Sequence, residues 1–387
     1  PRICVRSECV PMRFIKHVYR IHTYAQDGRL FEGKTPVSAF LNSSYDGSFI
    51  AGLMELRYIQ SLPVERIINY FESHGFTLKK PTAHKLMEKA SSLFENLYKC
   101  IRQTALSDPY KAADETYYKI LVPEKNSKGK GVRKGYLWVV VGINTRMIYL
   151  LYDDGSRSEK VILNELGGCK GIIQSDGYSP YRKLESDAYP HITRIPCLQH
   201  IKRKFIDCGE DEPDAKRIVE LINTLYQNEH KHKIGVDGWT VEQNLVHRKK
   251  YAPDILGEIK DVLDDIEERG DLLPKSELKE AITYLRNEWN AVVDIFNYGD
   301  TYLDNNIVER MNRYISLSRK NSLFFGSHKG AERGAILYTI ALTCRMNKVN
   351  LFEYLTDVIN RTAEWQPNTP LEKYRQLLPD RWEKAND

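Results

Sequence analysis

The run GYLWVVVGI at residues 135–143 and the two runs beside it decide the predicted fold. ADETYYKILV (113–122) precedes it and MIYLLY (147–152) follows it, and both share its richness in β-branched and aromatic residues, which is typical of strands. Only residues 144–146 separate the second run from the third, a connection short enough for a hairpin. The three runs therefore predict an antiparallel meander.

Helices and strands alternate after the meander. The pattern indicates a helix over 156–166, a strand over 171–176, a short helical piece and a fifth strand over 191–198. Three hairpin strands followed by helix, strand, helix and strand is the order of the ribonuclease H-like fold. We therefore predict an α/β protein with a ribonuclease H-like mixed sheet and helices on both of its faces.

Changes of pattern also predict how the chain is divided. The predicted segments, in chain order, are an N-terminal segment (1–45), a helical region (46–106), the first part of the core (107–206), an all-helical insertion (207–300), the last part of the core (301–362) and a C-terminal tail (363–387). The insertion is distinguished by its many charges and by apolar residues at helical spacing. The core is thus expected to be interrupted in sequence.

The composition is that of a folded, mildly basic protein. Lys and Arg number 57 and Asp and Glu 52, a formal charge of +5, and 42% of the residues are hydrophobic. No run approaches the roughly 18 apolar residues of a membrane span, and no apolar leader is evident. The cysteines include no Cys-x-x-Cys pair, which is typical of reduced thiols. We therefore expect a soluble, cytoplasmic protein with no membrane partner.

The helical region 46–106 has the spacing of a helix-turn-helix DNA-binding motif. A short helix ends at Gly75, and a longer helix opens near Pro81. The residues predicted to contact DNA, at the turn and the start of the longer helix, are Lys79, Lys80, Thr82, His84 and Lys85. The same spacing fits an ordinary three-helix bundle, and both interpretations stay open.

Three carboxylates are candidates for catalysis. Asp114 stands at the start of the first predicted strand, Asp176 at the end of the fourth, and Glu309 on a helix predicted over 307–317. Ends of neighbouring strands meet at one sheet edge, and paired carboxylates there can hold two hard cations for phosphodiester chemistry. The alternatives are an ordinary strand-end acid, a turn, and a capping box between Asn306 and Glu309.

Five motifs resemble the insertion-sequence 66 family of bacterial transposases. They are ADET (113–116), QSDGY (174–178), CLQHIKRKF (197–205), DNNIVER (304–310) and SRKNSLF (318–324). The likeness runs from about residue 47 to residue 379. The resemblance implies a DDE transposase in which Asp114, Asp176 and Glu309 bind Mg²⁺ or Mn²⁺ and cut and join double-stranded DNA at element ends.

The resemblance also implies surroundings and partners. It implies a nucleoid-associated protein and leaves open a homo-oligomer on DNA and helper proteins. Family members usually carry paired N-terminal cysteines, whereas Cys4 and Cys9 here lack zinc spacing, so a structural zinc is not expected. Cys197-x-x-His200 is interpreted as a structural histidine with satisfied hydrogen bonds rather than a metal ligand.

Basic residues cluster around these motifs and predict phosphate contacts. They are Arg194, Lys202, Arg203, Lys204, Arg310, Arg313, Arg319 and Lys320. Arg319 and Lys320 are expected in a loop after the helix of Glu309, anchored by the apolar residues 323–325. A solvated charged face is the alternative for the cluster. For the chain as a whole, the alternatives are a structure-specific nuclease and a catalytically silent DNA-binding protein.

Overall fold

A computed structural model of the chain describes residues 7, 11–34, 38–40, 43–125, 129, 131–231, 234–235, 238–366 and 368–384. The chain divides into two compact units. The first unit comprises Pro1–Ile101, Tyr118–Arg133 and Tyr314–Asp387, and the second comprises Arg102–Tyr117 and Lys134–Arg313. Cys4 and Cys9 lie outside the described residues. The segments predicted from the sequence stay a proposal.

The first unit is mainly helical. Its N-terminal part contains the hairpin β1 (Thr23–Gln26) and β2 (Arg29–Glu32) and the helices α1 (Gly47–Tyr58), α2 (Val64–Ser73) and α3 (Lys80–Leu93), while α4 (Glu95–Ser107) runs on into the second unit. Its C-terminal part contains α12 (His328–Met346), α13 (Leu351–Thr362) and α14 (Leu371–Arg375). Helix α1 packs against α13 through buried residues such as Leu53 and Leu355. The helices predicted around Gly75 and Pro81 are therefore present.

A five-stranded mixed sheet carries the predicted strands. They are β3 (Tyr110–Leu121), β4 (Val132–Gly142), β5 (Met147–Leu151), β6 (Gly171–Ser175) and β7 (Ile192–Pro196), in the order β5-β4-β3-β6-β7. Strand β4 pairs antiparallel with β5, and β6 lies parallel to both β3 and β7. Residues 137–141 are all at most 1% exposed, as in a strand covered on both faces. The predicted mixed α/β sheet is confirmed.

The second unit adds helices between and after these strands. Helices α5 (Glu159–Leu166) and α6 (Ser179–Arg182) and a 3₁₀ turn (Lys183–Glu185) come before β7, and α7 (Leu198–Ile206) follows it. The helices α8 (Pro213–Lys231), α9 (Val241–Arg269) and α10 (Glu277–Ile295) occupy the predicted insertion. Apolar residues at helical spacing in the insertion, such as Ile218, Leu221 and Ile259, are buried in one apolar cluster with α7. The helical insertion thus shares one apolar core with α7 and with residues of β3, β6 and β7.

Helix α11 (Asn306–Asn321) differs from its prediction. It extends four residues past 317, so Arg319 and Lys320 lie in its last turn rather than in a loop. The helical spacing of Ile307, Met311, Tyr314 and Ile315 predicts that these four apolar residues face inward, but only Ile315 is buried. The buried positions are Val308, Asn312, Ile315 and Ser318. Because Asn312 and Ser318 are polar, the hydropathy pattern does not show the helical period of the buried face.

The expected anchor beyond α11 is only partly present. Phe325 is buried, but Leu323 and Phe324 are 61% and 48% exposed. Phe325 packs on the ring of Tyr118 and bonds through its backbone to Lys119 and Leu121. Of the three apolar residues expected to anchor this segment, only Phe325 does so. Among the described residues, none of the helices combines the length and the apolar character that crossing a membrane requires.

Candidate functional site

Asp114 lies on β3 and is the most perturbed carboxylate of the site. It is the fifth residue of the strand and not its start, because residues 110–113 extend β3 towards the N-terminus. Asn312 Nδ2 of α11 donates to its Oδ2 at 2.6 Å, and the Glu115 amide donates to its Oδ1 at 2.8 Å. Burial, and then the negative charges of Glu115 and Asp176, raise the pKa of Asp114 to about 8.

Asp176 directly follows β6, the strand beside β3, as the sequence predicted. Its Oδ1 accepts a hydrogen bond from the Tyr178 amide at 3.1 Å, which closes the turn. The Gly177 amide donates to the hydroxyl of Tyr284 on α10 at 2.9 Å. A Cβ on Gly177 would lie 2.6 Å from that hydroxyl, so glycine is needed for this close approach. The insertion thus shapes the turn that holds Asp176.

Arg194 of β7 holds the turn of Asp176 through hydrogen bonds. Its side chain is 0% exposed, and it donates to Ser175 Oγ at 3.0 Å and to the main-chain oxygen of Asp176 at 2.7 Å. It also forms ion pairs with Glu185 and with the fully buried Glu288 of α10. Buried charges persist only when paired and hydrogen-bonded. The prediction that Arg194 contacts phosphate is therefore wrong, because all of its donors face inward.

Glu115 belongs to the site, although the sequence reasoning did not select it. Arg157 pairs with its Oε1, and Tyr181 donates to its Oε2 at 3.3 Å. The Arg157 guanidinium also lies 4.1 Å from the ring centroid of Tyr178, in a cation–π contact. Glu115 therefore has a cation, whereas no Lys, Arg or His of the described residues forms an ion pair with Asp114. Asp114 is therefore the acid of β3 without a neutralising cation among the described residues.

Glu309 lies on α11, between two asparagines that bond to β3. Asn305 Nδ2 donates to the Ala113 carbonyl at 3.0 Å, and Asn312 bonds to Asp114 as above. Asp304 accepts from the Asn306 amide at 3.1 Å, so the helix start is served by Asp304 and not by a capping box of Asn306. Glu309 Oε1 is buried without a hydrogen bond among the described residues, and it lies 3.7 Å from His200 Nε2.

Two of the predicted carboxylates interact with each other, and the third belongs to a group with other metal-binding side chains. Asp114 and Asp176 lie on adjacent strands and interact electrostatically. The described residues contain one group of three metal-binding side chains whose ligand atoms all lie within 4.8 Å of one another: Cys197, His200 and Glu309. His200 Nδ1 is also buried without a hydrogen bond among the described residues, so the interpretation of His200 as a satisfied structural histidine is wrong.

The remaining predicted DNA contacts lie on three helices. Lys79, Lys80, His84 and Lys85 are exposed at the start of α3 and Thr82 is half-buried, while Arg203 and Lys204 on α7 and Arg310 and Arg313 on α11 are exposed and Lys202 is half-buried. Lys320 is exposed and Arg319 is half-buried. Lys80 forms an ion pair with Glu65 of α2, which reduces its net charge. Lys85 is in no described ion pair.

A model described as "Transposase IS66 family" matches residues 42–333. The match covers most of the chain, and the chain therefore belongs to the IS66 transposase family, as the sequence motifs predicted. Similar curated proteins are the uncharacterized proteins y4jD, y4hP and y4qI of Sinorhizobium fredii, at 26%, 24% and 26% identity. The alignments cover 86%, 98% and 95% of this chain but only 65%, 70% and 69% of those proteins. The chain thus spans about two thirds of their length.

Proposed function

We propose that this protein cuts and joins DNA at the ends of an insertion sequence by two-metal phosphodiester chemistry. The observation that carries the proposal is Asp114, a carboxylate with a pKa raised to about 8 that adjoins Asp176 of the neighbouring strand and has no described cation partner. Family membership supports it, as does the strand order β5-β4-β3-β6-β7, which agrees with a ribonuclease H-like core.

The chemistry of the side chains fits Mg²⁺ or Mn²⁺. Hard cations prefer oxygen ligands, and Glu309 Oε1, Asn305 Oδ1 and Asn312 Oδ1 are buried without hydrogen bonds among the described residues. Asp114, Asp176 and Glu309 would hold the ions, which supply Lewis acidity to the phosphate and lower the pKa of an attacking water. Asn312 orients the Asp114 carboxylate, and Arg194 and Tyr284 hold the turn of Asp176.

Metal affinity is expected to rise with pH. At neutral pH the metal-free Asp114 carboxyl is protonated, because its pKa is about 8, so a bound ion must displace that proton. The apparent affinity for Mn²⁺, measured from the electron paramagnetic resonance of the free ion, should increase about tenfold per unit between about pH 6 and pH 8. It should level off above about pH 8.

The Asp114→Asn variant is the control for this dependence and should bind Mn²⁺ weakly with a flattened pH profile. The raised pKa of Asp114 also affects the stability of the wild-type protein. The Asp114 carboxyl ionises near pH 3.8 in the unfolded chain, so the metal-free native state holds one more proton than the unfolded state between that pH and about 8. Stability of the metal-free protein should therefore fall as the pH rises through this window. An Mn²⁺ affinity that is equal at about pH 6 and pH 8 would contradict the proposed role of Asp114.

DNA recognition by α3 is proposed from its exposed cations. Lys85→Ala is expected to weaken binding to element-end DNA and to lower the log-log salt slope by about 0.9, the value for one lost phosphate contact. Lys80→Ala should have a smaller effect, because Glu65 already neutralises part of that charge. Fluorescence anisotropy across a salt series measures both. Lys99→Ala, at an exposed site on α4, is the control, and a Lys85→Ala slope equal to that control would favour a simple helical bundle.

The proposed function is tested by incubating the protein with DNA that carries element ends, in the presence of Mg²⁺. We expect both nicked and joined products. Nicked products without joining would indicate a structure-specific nuclease, and binding without either product would indicate a silent DNA-binding protein. Proposed phosphate contacts in this reaction are Lys202, Arg203, Lys204, Arg310, Arg313, Arg319 and Lys320. The proposed partners besides DNA are further copies of the chain and helper proteins.

A further inference from the structure

A second cluster of metal-binding side chains lies where the helical insertion joins the sheet. Cys197 follows β7, His200 is in the first turn of α7, and Glu309 is near the start of α11. The sulfur, nitrogen and oxygen ligand atoms lie within 4.8 Å of one another. Cys197 is 1% exposed, and its Sγ accepts from the Asn305 amide at 3.2 Å, which ties it to the residue just before α11.

We propose that Cys197, His200 and Glu309 bind a divalent cation of the zinc class, at a site that shares Glu309 with the proposed triad of Asp114, Asp176 and Glu309. The side chains lie close enough to surround one ion, yet they do not satisfy one another. His200 Nε2 and Glu309 Oε1 are 3.7 Å apart, beyond a hydrogen bond. Two such ligands of a tetrahedral zinc, each about 2.0–2.1 Å from the ion, lie about 3.3 Å apart. Small side-chain movements would close the difference.

Unsatisfied atoms in this cluster support a ligand. His200 Nδ1 and Glu309 Oε1 are both buried, and neither has a hydrogen-bond partner among the described residues. Buried polar atoms without partners are costly and are rare in native proteins. His200 Nε2 lies within ion-pair distance of Glu309 Oε1. A cation at this position would give Glu309 Oε1 the partner that it lacks.

The donor set favours zinc over magnesium. Mg²⁺ and Ca²⁺ prefer oxygen ligands, whereas sulfur and imidazole ligands select Zn²⁺ and similar borderline ions. Three protein ligands would leave a fourth position for water. Cys197 binds a metal only as the thiolate, and burial raises the pKa of its thiol to about 12, so binding must release a proton and must strengthen as the pH rises.

Such an ion would join the two ends of the insertion. Cys197 and His200 precede α8, and Glu309 follows α10, so a shared ion would connect the chain before the insertion to the chain after it. Closing a long segment in this way restricts the unfolded chain and stabilises the native state. Zn²⁺ should therefore raise the melting temperature. This inference does not rest on the cutting of DNA, because it concerns binding alone.

The test uses the full chain, stripped of metal and titrated with Co²⁺. We expect tetrahedral Co²⁺ absorption bands with a thiolate-to-cobalt charge-transfer band, and displacement of the Co²⁺ by Zn²⁺. Cys197→Ser should lose the charge-transfer band. His200→Asn and Glu309→Gln should each weaken Co²⁺ binding at least about tenfold. Circular dichroism melting curves establish that each variant is folded, and the Zn²⁺-dependent rise in melting temperature should disappear in Cys197→Ser.

Two control variants make the result specific. Cys208→Ser removes the thiol just beyond the other end of α7 and should leave the spectrum unchanged, and Asp114→Asn should keep the band even if it cannot cut DNA. The proposal is overturned if the wild type shows no thiolate band, if Cys197→Ser keeps it, or if Cys208→Ser loses it. If the wild-type protein shows the expected cobalt spectrum but does not cut DNA, the result counts against the proposed function and not against the zinc-class site.

Discussion

Asp114→Asn, Asp176→Asn and Glu309→Gln are each expected to lower the rate of DNA cleavage by on the order of a thousandfold or more. Each change removes a negative charge but keeps nearly the same shape, so the fold and the DNA-binding surfaces should persist. Metal-ion catalysis depends on that charge, because an amide holds a hard cation poorly. The rate is measured with end-labelled element DNA and Mg²⁺, and DNA affinity is measured in parallel.

The control for these variants is Asp153→Asn, which removes an exposed acid of the second unit. It should cut DNA at the wild-type rate. DNA affinity of all the variants should stay within about threefold of wild type, because the three carboxylates are proposed to hold metal and not to read sequence. A variant at position 114, 176 or 309 that cuts at the control rate would refute the proposed triad.

The second large effect is expected at Arg194. Arg194→Met should lower the free energy of unfolding by about 3–5 kcal/mol, because Glu288 is left as a buried carboxylate without its closest cation. Chemical denaturation measures this loss. Adding Glu288→Met to the same chain should restore much of the stability, since an apolar pair of similar volume often replaces a buried ion pair without loss.

In the double variant, we expect stability to recover while the rate of DNA cleavage stays low. The double variant still lacks the hydrogen bonds from Arg194 to Ser175 and to the Asp176 carbonyl, so its activity should stay low after its stability recovers. Arg286→Met, on the more exposed side of α10, is the matched control and should cost at most about 1 kcal/mol. A loss of stability at Arg194 no larger than at Arg286 would contradict the structural role of the buried ion pair, and wild-type cleavage by the double variant would contradict the positioning role.

Strands β4, β5 and β6 can be predicted from the sequence because they are buried along most of their length. The start of β3 escapes prediction for a physical reason. Lys111 interrupts the apolar pattern, yet it is fully buried, and its ammonium group donates to the carbonyls of Asp108 and Lys170. A buried lysine with local carbonyl partners has no signature in hydropathy. The sequence therefore predicts a strand that starts beside Asp114, although Asp114 is the fifth residue of β3.

The position of a site residue can be predicted from the sequence only where it follows from the strand to which that residue belongs. Asp176 follows an apolar run, and its position at the strand end could be read directly. Arg194 could not be placed, because its partners Glu185 and Glu288 are distant in sequence and a lone arginine resembles a surface cation. The same holds for His200 and Glu309, which lie on either side of the insertion and come together only in the folded chain.

The contacts of α10 with the Asp176 turn limit how relatives of this chain can be recombined. Tyr284 and Glu288 are one helical turn apart on α10 and bond to Gly177, in the turn after β6, and to Arg194 of β7. A chimera that took its insertion from another relative would combine a foreign α10 with the native turn. The buried Arg194 guanidinium would then lose its ion pair with Glu288. Crossover points in such gene fusions therefore have to keep residues 174–194 and α10 from the same parent.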